Sequence, residues 1–341
     1  MKSAILEPRA SVALDDYIVD CAWSPDSRSL AAAGGAGRIF LVEKVPQGLV
    51  SRTLGEHMLG ALAVAWSPKA ASFASSGQDG TLVFWDAASG SAAKHLRPGT
   101  AWTEHLAWRP DGELLAAATG RSLGLWTRDG ECVQRVEHAS SIAALAWDKP
   151  GRDLAAAING GVTVHRVEPP RFTAREYKWP AAALTAAFSP NGRVLASGMQ
   201  DGSVHFWYLA TGRNAQMRGY AGRVQLTAWS ANSRYLATSA GAEIVVWDFG
   251  GKGPEGSHAQ QLTGHTDRID CIAFHPTGPW LASAGRDWRV SLRLPGKADR
   301  ALDAHLANAA VTVLRWSPDG RELAVAERSG RVTIYALVEM G

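Results

Sequence analysis

Ala61-Leu62-Ala63-Val64-Ala65-Trp66, Ser67-Pro68-Lys69-Ala70, Ser72-Phe73-Ala74-Ser75-Ser76, Gln78-Asp79-Gly80-Thr81, Leu82-Val83-Phe84-Trp85, Ala87-Ala88-Ser89-Gly90 and Ala92-Ala93-Lys94-His95-Leu96 follow one another in the stretch 61–96. The first segment is short and largely apolar, which predicts a buried inner strand. Ser67-Pro68 opens a turn, because proline fixes one backbone dihedral and lacks a donor. Ser72–Ser76 reads as a second strand, Asp79-Gly80 as a hairpin turn and Leu82–Trp85 as a third strand. Ala87–Gly90 turns again, and Ala92–Leu96 is an outer fourth strand. Four antiparallel strands in about 42 residues form one small sheet that cannot stand alone.

The aromatic-Ser-Pro junction of this stretch recurs. Near-copies begin at Trp23, Trp66, Trp108, Trp147, Phe188, Trp229, Phe274 and Trp316, with steps of 43, 42, 39, 41, 41, 45 and 42 residues. A four-stranded repeat of roughly 40–45 residues is the period of a propeller blade. The copies predict an all-β protein: a single eight-bladed β-propeller domain over 1–341, with a seven-bladed ring and one displaced repeat as the alternative. The last copy nearly ends the chain at its third strand, Arg331–Leu337. A spare strand, Arg9–Leu14, precedes the first inner strand, Val19–Trp23. Pairing the two would complete the last blade and close the ring. The loop Lys252–Ser257 accounts for the long 45-residue step.

These repeats resemble the WD40 family across nearly the whole chain. The Trp-Asp pair stands at Trp85-Asp86 and Trp247-Asp248, and the Gly-His pair at Gly264-His265, with Glu56-His57 and Glu137-His138 as variants. The resemblance implies a hydrogen-bonded structural tetrad within a blade. His57, Ser75, Asp79 and Trp85 hold all four of its positions. His265, Ser283 and Asp287 hold three, with Arg293 at the Trp position. Ser197, Asp201 and Trp207 hold three, with Trp179 at the His position; the other blades lack most of the set. Such a set satisfies buried polar groups and matches a catalytic triad only in composition.

The chain has 341 residues, a net charge of +3 and 46% apolar side chains. That is ordinary globular composition and argues for neither a nucleic-acid nor a membrane surface. The cysteines, Cys21, Cys132 and Cys271, offer no disulfide framework and no Cys-x-x-Cys pair, and read as small buried residues. The first nine residues are charged and broken by Pro8, so they lack a signal-peptide core. No apolar run spans a bilayer. The expected location is the cytoplasm.

Metalloprotease, nucleophile-elbow, P-loop and calcium-loop motifs are absent from the sequence. Gly34-Gly35-Ala36-Gly37 reads as a turn between two strands, since a phosphate loop would need a helix behind it. The ten histidines show no ligand spacing, so neither a metal nor a cofactor is expected.

What remains is binding by loops at the ring's ends. In WD40 proteins partners often dock around the channel mouth. The matching positions here lie six and four places before the motif aromatic. They include Tyr17, Trp102, Glu104, Arg223, Arg268 and Asp270, and Arg286 beside a hairpin aspartate joins them. Arginine and aromatic side chains are enriched at interface hot spots. Trp102 is open to a binding or a packing role; Trp280 and Trp288, also off the repeat positions, read as packing residues. The expected function is a non-catalytic scaffold for a protein or peptide partner, working alone or as a subunit of a larger complex. The alternative is an enzyme or small-molecule binder with its site in the channel. Nucleic acid is disfavoured, since no basic stripe with interleaved aromatics is present.

Overall fold

The computed structural model describes residues 3–251, 253–256, 258–297 and 299–340. Strands form eight antiparallel sheets arranged as eight blades, and no helix occurs among the described residues. In chain order the blades occupy residues 18–56, 61–96, 103–137, 144–182, 187–217, 226–262, 269–306 and 311–340. In blade two the strands are Ala61–Trp66, Ser72–Gly77, Leu82–Asp86 and Ala92–Leu96, close to the bounds expected from sequence.

The eighth blade is completed by Ser3–Ala13, which pairs with Arg331–Met340. This closing strand begins well before the expected Arg9. Pro8 does not interrupt it, because Ser3–Ala13 is the outermost strand, and the register shift between Pro8 and Ala10 accommodates the ring. Blade four departs from the pattern in another way. Its second and third strands run together as one segment, Asp153–Glu168, whose halves lie side by side: Val167 N–H donates to Arg152 O, and Arg166 pairs with Asp153. Of the long loop near 252–257, Lys252 and Ser257 lie outside the described residues; Glu255 accepts from Tyr208 and Arg213.

The core lies between blades. Second strands such as Ala31-Ala32-Ala33, Ala116-Ala117-Ala118 and Ala155-Ala156-Ala157 are buried throughout. Small side chains let neighbouring sheets approach there, while Phe73, Leu115, Phe206 and Leu281 fill the wider gaps. Each such side chain contributes roughly 1.5–3 kcal/mol of burial.

The motif itself has two uses. In its turn, a serine hydroxyl and an Asp or Asn side chain hold the backbone, as Ser24 with Asp26, Ser230 with Asn232 and Ser317 with Asp319. The tryptophan ties one blade to the previous one. Trp23, Trp108, Trp147, Trp229 and Trp316 donate their indole N–H to the carbonyls of Arg315, Ala65, Ala107, Ala187 and Ala273. In each case the acceptor stands immediately before the motif aromatic of the preceding blade. Trp66 turns instead to Ala70 O in its own loop. The acceptor position is alanine in seven copies and arginine only at 315. Arg315 reaches across the closing seam to Asp20 and to Cys21 O.

Candidate protein-binding face

Strand directions alternate, so the hairpin between second and third strands opens at the same end of a blade as the connection leading into its inner strand. Backbone hydrogen bonds join the two. The N–H groups of Gly35, Gln78, Gly120, Gln200, Arg286 and Arg328 donate to the carbonyls of Tyr17, Gly60, Trp102, Ala182, Arg268 and Ala310. Every acceptor stands six places before its motif aromatic. The residue two places later is displaced from the ladder by a bulge in blades one, two, three, seven and eight. The displaced residues include Glu104 and Asp270, and a bulge is a device that re-aims a side chain.

Tyr17, Trp102 and Arg223 are exposed on this face; Tyr17 lies over the backbone of Gly35. Met58 and Leu59, in the connection entering blade two, are exposed as well. Trp288 is half exposed, so it is not a packing residue, whereas Trp280 is fully buried against its neighbours. Leu306 ends the outer strand of blade seven at the same end, opposite Arg289. Among the described residues, six of the nine exposed large apolar side chains therefore gather at one end of the ring; Val50, Val133 and Met340 do not. A monomer gains nothing from such a concentration.

Glu104 does not share a site with Asp270. It borders a cavity of about 340 Å³ at the channel, with His105, Ser141, Leu184 and Gln225. Burial holds the His105 imidazole below its usual range. Glu104, His105 and Ser141 resemble a nucleophile-base-acid set in composition, but no hydrogen bond joins them among the described residues. Asp270 instead sits between two arginines. Arg268 Nε lies 2.8 Å from its Oδ1 and Arg286 Nε 3.3 Å from its Oδ2. At the opposite end, a cavity of about 480 Å³ is walled by Trp23, Trp66, Trp108 and Trp316, with Asp20 and Arg315 at its side. Burial raises the Asp20 carboxyl while Arg315 opposes the shift. No cluster of three or more metal-binding side chains occurs among the described residues, and they include no helix long and apolar enough to cross a membrane.

Beneath the face lie the polar chains. His57 Nε2 meets Ser75 Oγ at 2.8 Å, Trp85 Nε1 donates to the same hydroxyl, and His57 Nδ1 meets Asp79 and Thr81. Burial lowers His57 despite the pull of Asp79. Burial works to raise Asp79, but hydrogen bonds from Thr81 and Met58 bring it down to about 2. His57 also requires Gly77, whose added Cβ would stand 2.7 Å from the imidazole. In blade seven His265 joins Ser283 and Asp287, and fully buried Arg293 replaces Trp, with Nε 3.4 Å from Ser283 Oγ and Nη1 donating to Thr263 O. Burial lowers its pKa to about 10.

Blade five does not form the chain. Ser197 donates to Thr185 O, Asp201 accepts from Ser203 and Trp179, and Trp179 stacks on His205. Blade six has an equivalent in which tyrosine stands in the place of histidine. Tyr220 OH meets Thr238 Oγ1 at 2.6 Å and accepts from Trp247 Nε1 at 2.7 Å, and burial raises the phenol to about 12. Its spacing of 18 residues from Tyr220 to Thr238 equals that from His57 to Ser75 and was a usable signal. Blade four pairs His138 with His165 directly, Nε2 to Nε2 at 3.2 Å. Of the cysteines, Cys21 and Cys271 are buried, but Cys132 is exposed because it starts an outer strand.

The fold and its end-facing loops define a class, the eight-bladed β-propellers that present a loop-built face. Within it the chain carries WD40 repeats at four positions. The family model described as WD domain, G-beta repeat matches residues 48–86, 179–208, 256–292 and 296–335. The B-type cell cycle switch protein ccs52A of Medicago truncatula is 26% identical over 239 residues, 66% of this chain and 48% of the relative. The anaphase-promoting complex subunit cdc20 of Dictyostelium discoideum is 25% identical over 62% of this chain and 45% of its own length. The chain thus spans about half the length of these curated relatives. Among solved structures, the C-terminal WD40 domain of Sif2 superposes with a TM-score of 0.78 at 17% identity, covering 97% of this chain and 98% of that one. The computationally designed Ika8 protein gives 0.80, also at 17%, over 98% and 100%.

Proposed function

We propose that this chain is a non-catalytic interaction scaffold that binds a protein or peptide partner on the face built by the hairpin turns and inner-strand entries. One observation carries the reading: most exposed large apolar side chains collect there, interleaved with Arg223, Arg268 and Arg286. Aromatic and arginine side chains supply most interface energy for their number. The missing hydrogen bonds around Glu104, His105 and Ser141 weigh against channel catalysis. One relative is named as a subunit of the anaphase-promoting complex, which supports work within a larger assembly. The cytoplasm is the proposed setting. The test is a capture from native extract with wild type beside a Trp102→Ala/Arg268→Glu variant shown to fold. A partner held by wild type and lost by the variant supports the reading. A partner held equally moves the interface elsewhere.

A further inference from the structure

In the hairpin between second and third strands, blades two, five and eight place Gly80, Gly202 and Gly330 at φ of 72°, 75° and 82°. Blade seven places Trp288 at the same point, with φ 62°. Left-handed backbone disfavours any residue with a Cβ, and a bulky one there is an outlier that asks for a reason. Packing does not supply it, because Trp288 is 50% exposed. Beside it, Ala307 N–H donates to Trp288 O, which brings the 73% exposed Leu306 to the same corner. Arg268 and Arg286 come closest to the single carboxylate of Asp270 through Nε. Their Nη groups have no partner among the described residues, and Nη groups form the fork that grips a second carboxylate.

We infer that this corner of blade seven anchors an acidic peptide segment: a partner carboxylate on the Nη groups of Arg268 and Arg286, and an adjacent apolar side chain on Trp288 and Leu306. The inference rests on the face proposed above and names the chemistry of its partner. A peptide fits better than a nucleic acid, because one exposed aromatic beside an aliphatic side chain makes no stacking platform for successive bases.

The test selects binders from a random peptide display library on the full chain, then measures them by fluorescence anisotropy. The expected binders are enriched in Asp and Glu and weaken as salt rises. They bind roughly tenfold or more weakly to Arg268→Glu and to Arg286→Gln. Trp288→Gly and Trp288→Ala both lose affinity. Trp288→Gly unfolds at the higher urea concentration of the two, because only glycine suits the left-handed turn; the pair separates lost binding from lost fold. Binders without acidic enrichment overturn the inference. So do binders indifferent to the blade-seven variants but lost in Tyr17→Ala/Trp102→Ala, in which case the face itself stands. Binders indifferent to all of these variants, or no binders at all, overturn both readings. A single-stranded oligonucleotide that displaces the acidic peptides and binds more tightly overturns the peptide in favour of nucleic acid.

Discussion

The indole N–H of Trp23 donates to the backbone carbonyl of Arg315, 2.9 Å away across 292 residues of chain. This bond crosses the seam where the ring closes, and it repeats the link that four other motif tryptophans make to the preceding blade. Arg315 answers across the same seam, its Nη2 2.8 Å from Asp20 Oδ1. The motif therefore stitches blades together as well as shaping one turn in each. Phe188 and Phe274 keep the packing and give up the stitch.

Replacing Trp23 by Phe tests that stitch. The ring is 7% exposed, so phenylalanine keeps most of the packing and loses the donor. The variant is expected to lose about 1 kcal/mol, the net worth of a buried hydrogen bond, read from urea unfolding. Trp66→Phe is the control, since Trp66 bonds only its own loop at 3.2 Å. Equal losses in the two variants would show that the link between blades contributes nothing of its own.

Arg293 offers a second test. It is fully buried where blade two holds Trp85, and its Nη2 has no hydrogen-bond partner. Removing it to alanine leaves a cavity and frees Thr263 O, with an expected loss of about 3–5 kcal/mol. Arg293→Trp removes a desolvated charge and restores a donor towards Ser283. It is expected to fall within about 1 kcal/mol of wild type or above it, because apolar replacements of buried ions are often neutral. A Trp variant as unstable as the Ala variant would mean that the guanidinium is required.

Much of this was legible in the chain. The eightfold period fixed the architecture, because each copy of the motif shapes the same turn and entry strand. The tetrad of blade two followed from four residue types at family spacing. What escaped detection depended on substitution at a kept position. Tyr220 does the work of histidine because a phenol, like an imidazole, can both accept and donate. The residue type of Trp288 suggests a core, whereas its place in the turn, where sister blades carry glycine, points outward. The start of the closing strand was missed because Pro8 argues against a central strand and says nothing against an outermost one.

The buried histidines predict acid sensitivity with a definite sign. Burial lowers His57, His105, His138, His165, His205, His265 and His275, and His165 falls to about 4 with His138 adding to the shift. Above the unfolded value of 6.5 both states are neutral and these groups do not affect stability. As pH falls below 6.5, the unfolded chain takes up protons that the folded ring refuses, so stability declines, and the His165 share of the loss is complete near pH 4. The carboxylate of Asp79, held at about 2, adds a further loss only below 3.8. His165 alone accounts for roughly 3 kcal/mol between pH 6.5 and 4. Urea unfolding across this range is expected to show a falling midpoint in wild type and a shallower fall in a His138→Leu/His165→Leu variant, which replaces both partners and leaves neither imidazole unsatisfied. The same slope in both proteins would place the acid sensitivity in the remaining histidines and remove the pair from the account.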